Sequence, residues 1–152
     1  GSVDSRDVSE TKTSLIDNNI ERLGITNVTT KVWDATVTDD EAVGKYDVVI
    51  ADLPCSGLGI MGRKPDIRYN VTKESVESLA HLQRQILSTV SSYVKEGGVL
   101  IYSTCTVDRA ENQDNVEWFT ANYPYELITD MINIAPGDLG NDGFFIARLR
   151  RV

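Results

Sequence analysis

The apolar positions of this chain change period repeatedly. Leu15, Ile16, Ile20 and Leu23 recur at helical spacing, and Gly24 follows where helices often stop in a left-handed turn. This predicts a helix over 9–23, after a weak strand over 2–6. Residues 28–33 alternate apolar and polar, as a half-buried strand does. Residues 46–52, Tyr-Asp-Val-Val-Ile-Ala-Asp, form a nearly continuous apolar run rich in β-branched side chains, which predicts a strand buried on both faces. Residues 53–72 carry Gly, Pro and basic residues without period. Val76, Leu79, Leu82, Ile86, Leu87, Val90 and Val94 then mark one side of a long amphipathic helix over 74–94, which Gly97-Gly98 ends. A second buried strand follows over 99–103, then a helix over 108–122 with Val116 and Phe119 as apolar markers. Residues 125–128 and 144–149 read as an antiparallel strand pair.

Strands alternating with helices through short links predict an α/β fold in one domain, with a mostly parallel, doubly wound sheet. In such sheets ligands bind beyond the carboxyl ends of the strands. The residues at those ends are Asp7, Asp34, Asp52 with Cys55, and Thr104 with Cys105. An acid or a thiol thus follows four separate strands. Aspartate also favours caps and turns, which is the competing reading for Asp7 and Asp34. For the cysteines the competing reading is a small buried hydrophobe.

Composition narrows the class. A chain of 152 residues, 41% hydrophobic and 25% charged, suits a globular domain and excludes collagen, coiled coil and a disordered acidic tail. No apolar run reaches the roughly 18 residues of a membrane span, and no basic-then-apolar leader opens the sequence. Two cysteines make no disulfide framework. The expectation is an intracellular, cytoplasmic protein with no membrane partner. His81, the single histidine, falls mid-helix and reads as structural or solvated, and no metal site is expected. The net charge of −8 argues at first sight against a nucleic-acid partner. Gly57-Leu58-Gly59-Ile60-Met61-Gly62 has the spacing of a dinucleotide fingerprint. No periodic helix opens at its third glycine, however, and no strand-end acid follows about 20 residues on. Its glycines are expected to let a loop approach a ligand closely.

Two segments change the picture. Asp52-Leu53-Pro54-Cys55-Ser56-Gly57 and Ser103-Thr104-Cys105-Thr106 resemble the D-x-P-C-S-G and T-C segments of the RNA 5-methylcytosine methyltransferases, most closely those of RsmB/Sun type. Arg63-Lys64-Pro65-Asp66-Ile67-Arg68-Tyr69 is similar to that family's R-(K/R)-x-P-D-I-(K/R) loop. Asp142-Gly143-Phe144-Phe145-Ile146-Ala147-Arg148-Leu149 is similar to its C-terminal D-G-F-F-x-A strand. The resemblance runs from about Asp7 to the end.

The resemblance implies a Rossmann-like, S-adenosylmethionine-dependent methyltransferase fold with an antiparallel C-terminal strand. It implies methyl transfer to C5 of a cytosine in RNA, small-subunit ribosomal RNA first of all. In that chemistry a thiolate adds to C6, C5 of the resulting enamine attacks an activated methyl group, and loss of the C5 proton expels the thiolate. Chemistry alone leaves open which cysteine attacks. By resemblance, Cys105 is the nucleophile, Cys55 assists product release, and Asp52 bonds the cytosine N3/N4 edge. Asp7 matches the family's acid for the ribose hydroxyls and Asp34 the acid near the adenine. With Asp52 and Pro54 they make up the implied cofactor site. Arg63, Lys64 and Arg68 are implied to face RNA.

The family's first strand and its glycine-rich cofactor turn have no counterpart in residues 1–152. The sequence therefore reads as a partial catalytic domain, truncated before the second strand. Alone it is expected to bind cofactor poorly and to be inert or nearly so. Its two strand edges are expected to be rejoined by direct pairing of the flanking strands, or between chains as an edge-mediated dimer. The acidic balance then fits RNA, with most phosphate binding assigned to the missing part. The rival readings are a transfer-RNA cytosine-5 enzyme, a methyltransferase of another substrate class, and a non-catalytic binding module of the same fold.

Overall fold

In the computed structural model, which describes residues 1–137 and 140–152, the strands form two sheets. They belong to two units, residues 1–38 and 39–152. The first unit is a β-α-β crossover: β1 (Val3–Asp7), α1 (Glu10–Leu23) and β2 (Val28–Val32). β1 and β2 pair in parallel, from Val3 opposite Val28 to Asp7 opposite Val32. The ends of α1 follow from its sequence. The Ser9 hydroxyl accepts the Lys12 N–H, and Gly24 takes the left-handed conformation (φ 64°) that closes the last turn onto Glu21 and Ile20.

The second unit holds β3 (Tyr46–Asp52), α2 (Ile67–Asn70), α3 (Lys73–Ser91), β4 (Val94–Thr104), α4 (Gln113–Asn122), β5 (Tyr125–Leu127), β6 (Ile132–Ile134) and β7 (Phe144–Arg151). The sheet order is β3-β4-β7-β5, with β6 also on β7. β3 and β4 pair in parallel, and β7 runs antiparallel to β4, β5 and β6. Four strands thus run one way and the C-terminal strand the other, as the sequence predicts. The direct pairing expected between the flanking strands is not found. Among the described residues β1 pairs with β2 and β3 with β4, and no ladder joins the two sheets.

Three boundaries differ from the sequence reading. The long helix ends at Ser91, and Val94 opens β4 instead of closing the helix. Gly97-Gly98 lies inside β4, where the register slips between the Tyr46–Val94 and Val48–Val99 pairs. Gly97 sits at φ 73°, and a side chain on Gly98 would meet the Asp47 carbonyl, so both glycines serve an irregular strand. The last helix starts at Gln113, because residues 108–110 are held in a turn by the Asp108 carboxylate on the Ala110 N–H. α2 and β6, of four and three residues, are too short for a period to stand out.

The core of this unit lies on one face of its sheet. Register puts Ala51, Tyr102 and Ala147 side by side, all buried. Over them pack the apolar stripe of α3 and, from α4, Val116 and Phe119. The Tyr102 and Phe145 rings meet edge to face at 5.9 Å. β3 is therefore not buried on both faces. Val48 and Ile50, on its other face, are 52% and 69% exposed. The reason is that α3 and α4 both engage the Tyr102 side of the sheet, through Gln83 and Asn115. Among the described residues no helix is long and apolar enough to cross a membrane, and no group of three metal-ligating side chains gathers.

Candidate active site

β3 and β4 end together, with Asp52 opposite Ser103. The Ser103 hydroxyl donates to Asp52 Oδ1 at 3.0 Å, which ties the exposed carboxylate to the neighbouring strand. Each chain then turns outward and presents a cysteine. The sulfurs of Cys55 and Cys105 come to 3.3 Å across 50 residues of sequence, both half-buried. Burial, helped by the contact with Cys105, pushes the Cys55 thiol up to about 12. At neutral pH Cys55 therefore keeps its proton, which is available to the Cys105 sulfur.

The loops that carry the thiols are laced by backbone bonds. Gly59 N–H donates to the Cys105 carbonyl at 3.0 Å, and its own carbonyl accepts the Gly143 N–H at 2.7 Å. A side chain at Gly59 would collide with the carbonyl oxygens of Cys105 and Gly143. What Gly59 approaches closely is protein backbone, where the sequence suggested a ligand.

Beneath the thiols lies a polar cluster that the sequence reading missed. Glu111 is 0% exposed. Its carboxylate accepts the Ser56 N–H at 2.9 Å, the Ser56 hydroxyl at 2.5 Å and Gln83 Nε2 at 3.0 Å. Gln83 also donates to the Pro54 carbonyl at 2.9 Å, and the Ser56 and Thr106 hydroxyls meet at 2.8 Å. The Tyr102 hydroxyl donates to the Glu111 carbonyl, and burial pushes its pKa well above the ordinary tyrosine range. One signal was available: Gln83 stands within the apolar stripe of α3, between Ala80 and Leu87. A buried glutamine there needs partners.

The remaining predicted residues are dispersed. Asp7 and Asp34 lie in the first unit, past the carboxyl ends of β1 and β2. Asp7 Oδ1 accepts the Ser9 N–H at 2.8 Å, and Oδ2 stands 3.4 Å from the Lys12 ammonium. Asp34 Oδ1 accepts the hydroxyl and the N–H of Thr36, at 2.7 and 2.9 Å, which hold its carboxyl below the ordinary range. Both acids thus make local turn bonds to the residue two positions on, the helix cap itself being Ser9, and each carboxylate retains lone pairs for a further donor. Pro54 is exposed beside Cys55. Of the basic residues, Arg63 pairs with Asp142 at 3.0 Å and Arg68 lies over the Tyr69 ring at 5.2 Å, while Lys64 is exposed.

The family described as 16S rRNA methyltransferase RsmB/F matches residues 1–150. The chain belongs to that family. A probable ribosomal RNA small subunit methyltransferase B of Bacillus subtilis is 34% identical, over 99% of this chain and 38% of its own length. The ribosomal RNA small subunit methyltransferase F of Cronobacter sakazakii is 30% identical, over 99% of this chain and 35% of its own. Among solved structures, NSun6 from Pyrococcus horikoshii with SFG superposes with a TM-score of 0.89 at 30% identity, covering all of this chain and 42% of that one. The RsmB/F chain described here thus spans between a third and two-fifths of the length of these curated relatives. Its fold is the Rossmann-like methyltransferase fold.

Proposed function

We propose that this RsmB/F chain carries the catalytic thiols of a cytoplasmic enzyme that methylates C5 of a cytosine in RNA, with small-subunit ribosomal RNA as substrate. The observation that carries the reading is the 3.3 Å contact between Cys55 and Cys105, beside a strand-end carboxylate fixed by Ser103. The family and the names of its relatives support RNA and the small subunit.

The thiol arrangement suits covalent catalysis. Cys105, as thiolate, adds to C6 and pushes the electron pair towards C5 and N3. Asp52 meets the N3/N4 edge and stabilises that charge. Cys55, whose thiol burial pushes up, keeps its proton at neutral pH and stands 3.3 Å from the Cys105 sulfur, close enough to donate to it; that Cys105 is the attacking group rests on the resemblance. Once the C5 proton has left, the C6–S bond breaks and Cys55 assists the departure of the Cys105 sulfur. S-adenosylmethionine supplies the electrophilic methyl group when bound. Asp7 and Asp34, whose carboxylates retain acceptor capacity at two adjacent strand ends, would hold its ribose and adenine; for Asp52 and Pro54 a cofactor role rests on the family resemblance alone. Arg63, Lys64 and Arg68 would meet RNA phosphate.

The roles are tested in the full-length protein with a cytosine-containing RNA. Cys105→Ala abolishes the covalent adduct, and Cys55→Ala lets it accumulate; the reverse pattern overturns the assignment. For the 152 residues alone we propose little activity, weak cofactor binding and self-association along the free edge of β3. Tight stoichiometric cofactor binding by calorimetry, or a sharp monomer in light-scattering chromatography, would count against the corresponding part.

A further inference from the structure

We infer that Glu111 is a positioning residue that sets the contact between the two thiols, by fixing Ser56 and, through it, Thr106. The inference rests on the cytosine-5 reading for its purpose, and on the geometry below for its substance.

Ser56 directly follows Cys55, and Thr106 directly follows Cys105. Their hydroxyls meet at 2.8 Å, so the two thiol loops are joined one residue past each sulfur. Glu111 sits behind this joint. It accepts both the N–H and the hydroxyl of Ser56, a two-point grip that fixes the backbone of the Cys55 loop as well as the side chain. The hydroxyl protons are thereby ordered. Ser56 O–H points to Glu111 Oε2, so Thr106 O–H must donate to Ser56 Oγ, while Thr106 Oγ1 accepts the Asp108 N–H at 3.2 Å. Glu111, Ser56 and Thr106 are all buried, and the three donors to the carboxylate are neutral groups of Ser56 and Gln83. A buried carboxylate held this way is costly, and apolar packing would serve mere stability as well. What it adds is a fixed acceptor from which both loops take their orientation.

Glutamine at 111 can keep the joint. Its carbonyl accepts from Ser56 N–H and Gln83, its amide donates to Ser56 Oγ, and the Ser56 hydroxyl turns to Thr106. Alanine cannot. The experiment bridges the thiols of the 152-residue chain with dibromobimane. Two C–S bonds form, two bromides leave and two thiol protons pass to solvent, and the product is fluorescent once both sulfurs are joined. In the wild type one end of the reagent bonds Cys105 and the tethered second bromomethyl group is held against Cys55, whose low thiolate fraction the high effective concentration offsets, so the Cys55–Cys105 bridge forms. In Glu111→Ala the bridged fraction falls about tenfold in favour of singly alkylated protein, and in Glu111→Gln it stays within about threefold of wild type. If Glu111→Ala does not fold, Thr106→Val, which removes the hydroxyl joint at constant shape, takes its place with the same expected loss. Wild-type bridging in a folded Glu111→Ala or Thr106→Val variant, or loss in Glu111→Gln equal to that in Glu111→Ala, overturns the inference. Failure of the cytosine reading is seen separately, as absence of a Cys105–RNA adduct in the full-length wild type. The bridging result is independent of it.

Discussion

Two pairs of parallel strands end in candidate site residues, and the two ends are built differently. Past β1 and β2, Asp7 and Asp34 bond to residues two to five positions away. Past β3 and β4, the bonds span 28 to 55 residues: Gln83 to Glu111, Cys55 to Cys105, Ser56 to Glu111. Local bonds survive wherever the backbone turns that way, so the first pair of ends carries little information about the rest of the chain. Long-range bonds between buried polar groups exist only when the whole second unit is folded. The first end is thus an accessible pair of acceptors. The second is preorganised, its two thiols being held by groups that the core itself fixes.

The contrast is broken most directly at Gln83. Gln83→Ala removes a donor to Glu111 and a donor to Pro54, and takes from Asn115 Nδ2 its shortest bond, to Gln83 Oε1 at 2.8 Å. A loss of about 3 kcal/mol is expected in urea unfolding. Asp7→Ala, which removes an acceptor of the Ser9 N–H and a solvent-exposed pairing with Lys12, should cost about 1 kcal/mol or less. Equal losses would erase the distinction between the two ends. Gly59→Ala comes next. Its new methyl group has backbone on two sides, from Cys105 and Gly143, so one thiol loop must move. A cost of about 2 kcal/mol is expected, together with reduced bimane bridging. A variant that keeps both stability and bridging would show that the loop yields.

The same contrast governs what the sequence could reveal. Periodicity marks β2 to β4, α1 and α3 because an apolar stripe, run or alternation is written in each segment, and segment resemblance points to Cys55, Cys105 and Asp52. Glu111 was overlooked because it stands in a turn between elements, where a charged residue is ordinarily solvated. Its burial depends on Ser56 and Gln83, which are remote in sequence. The exposed face of β3 was misread for a related reason. The Val-Val-Ile run records which side chains are apolar, whereas which face receives a helix is decided by the crossover through α3. Gly97-Gly98 was read as a helix stop because a bulge and a stop share the same residue.

A smaller effect sharpens the account of the thiols. Burial raises Cys55 from an ordinary value of 9.0 to about 12. The folded chain therefore holds this proton more tightly than the unfolded chain does. The associated stability is fully present below pH 9 and is lost as pH rises from there to 12. Site-resolved iodoacetamide labelling should find Cys55 nearly inert at pH 8 and progressively reactive above pH 10. Labelling of Cys55 at the rate of a free thiol at pH 8 would remove its role as the protonated partner.

The smallest effect belongs to Asp34. Its carboxyl is held below the ordinary range by the Thr36 hydroxyl and N–H, so any stability it lends is present at neutral pH and is lost as pH falls through the carboxylate range. Because the group is fully exposed and its partner is two residues away, solvent replaces what the fold provides. Asp34→Ala should leave the unfolding midpoint unchanged at pH 7 and at pH 4, while lowering affinity for S-adenosylmethionine in the full-length protein. The two readouts separate the turn from the ligand. A lower midpoint with unchanged affinity would make Asp34 a turn former alone, and the acids beyond β1 and β2 would lose their claim to a cofactor.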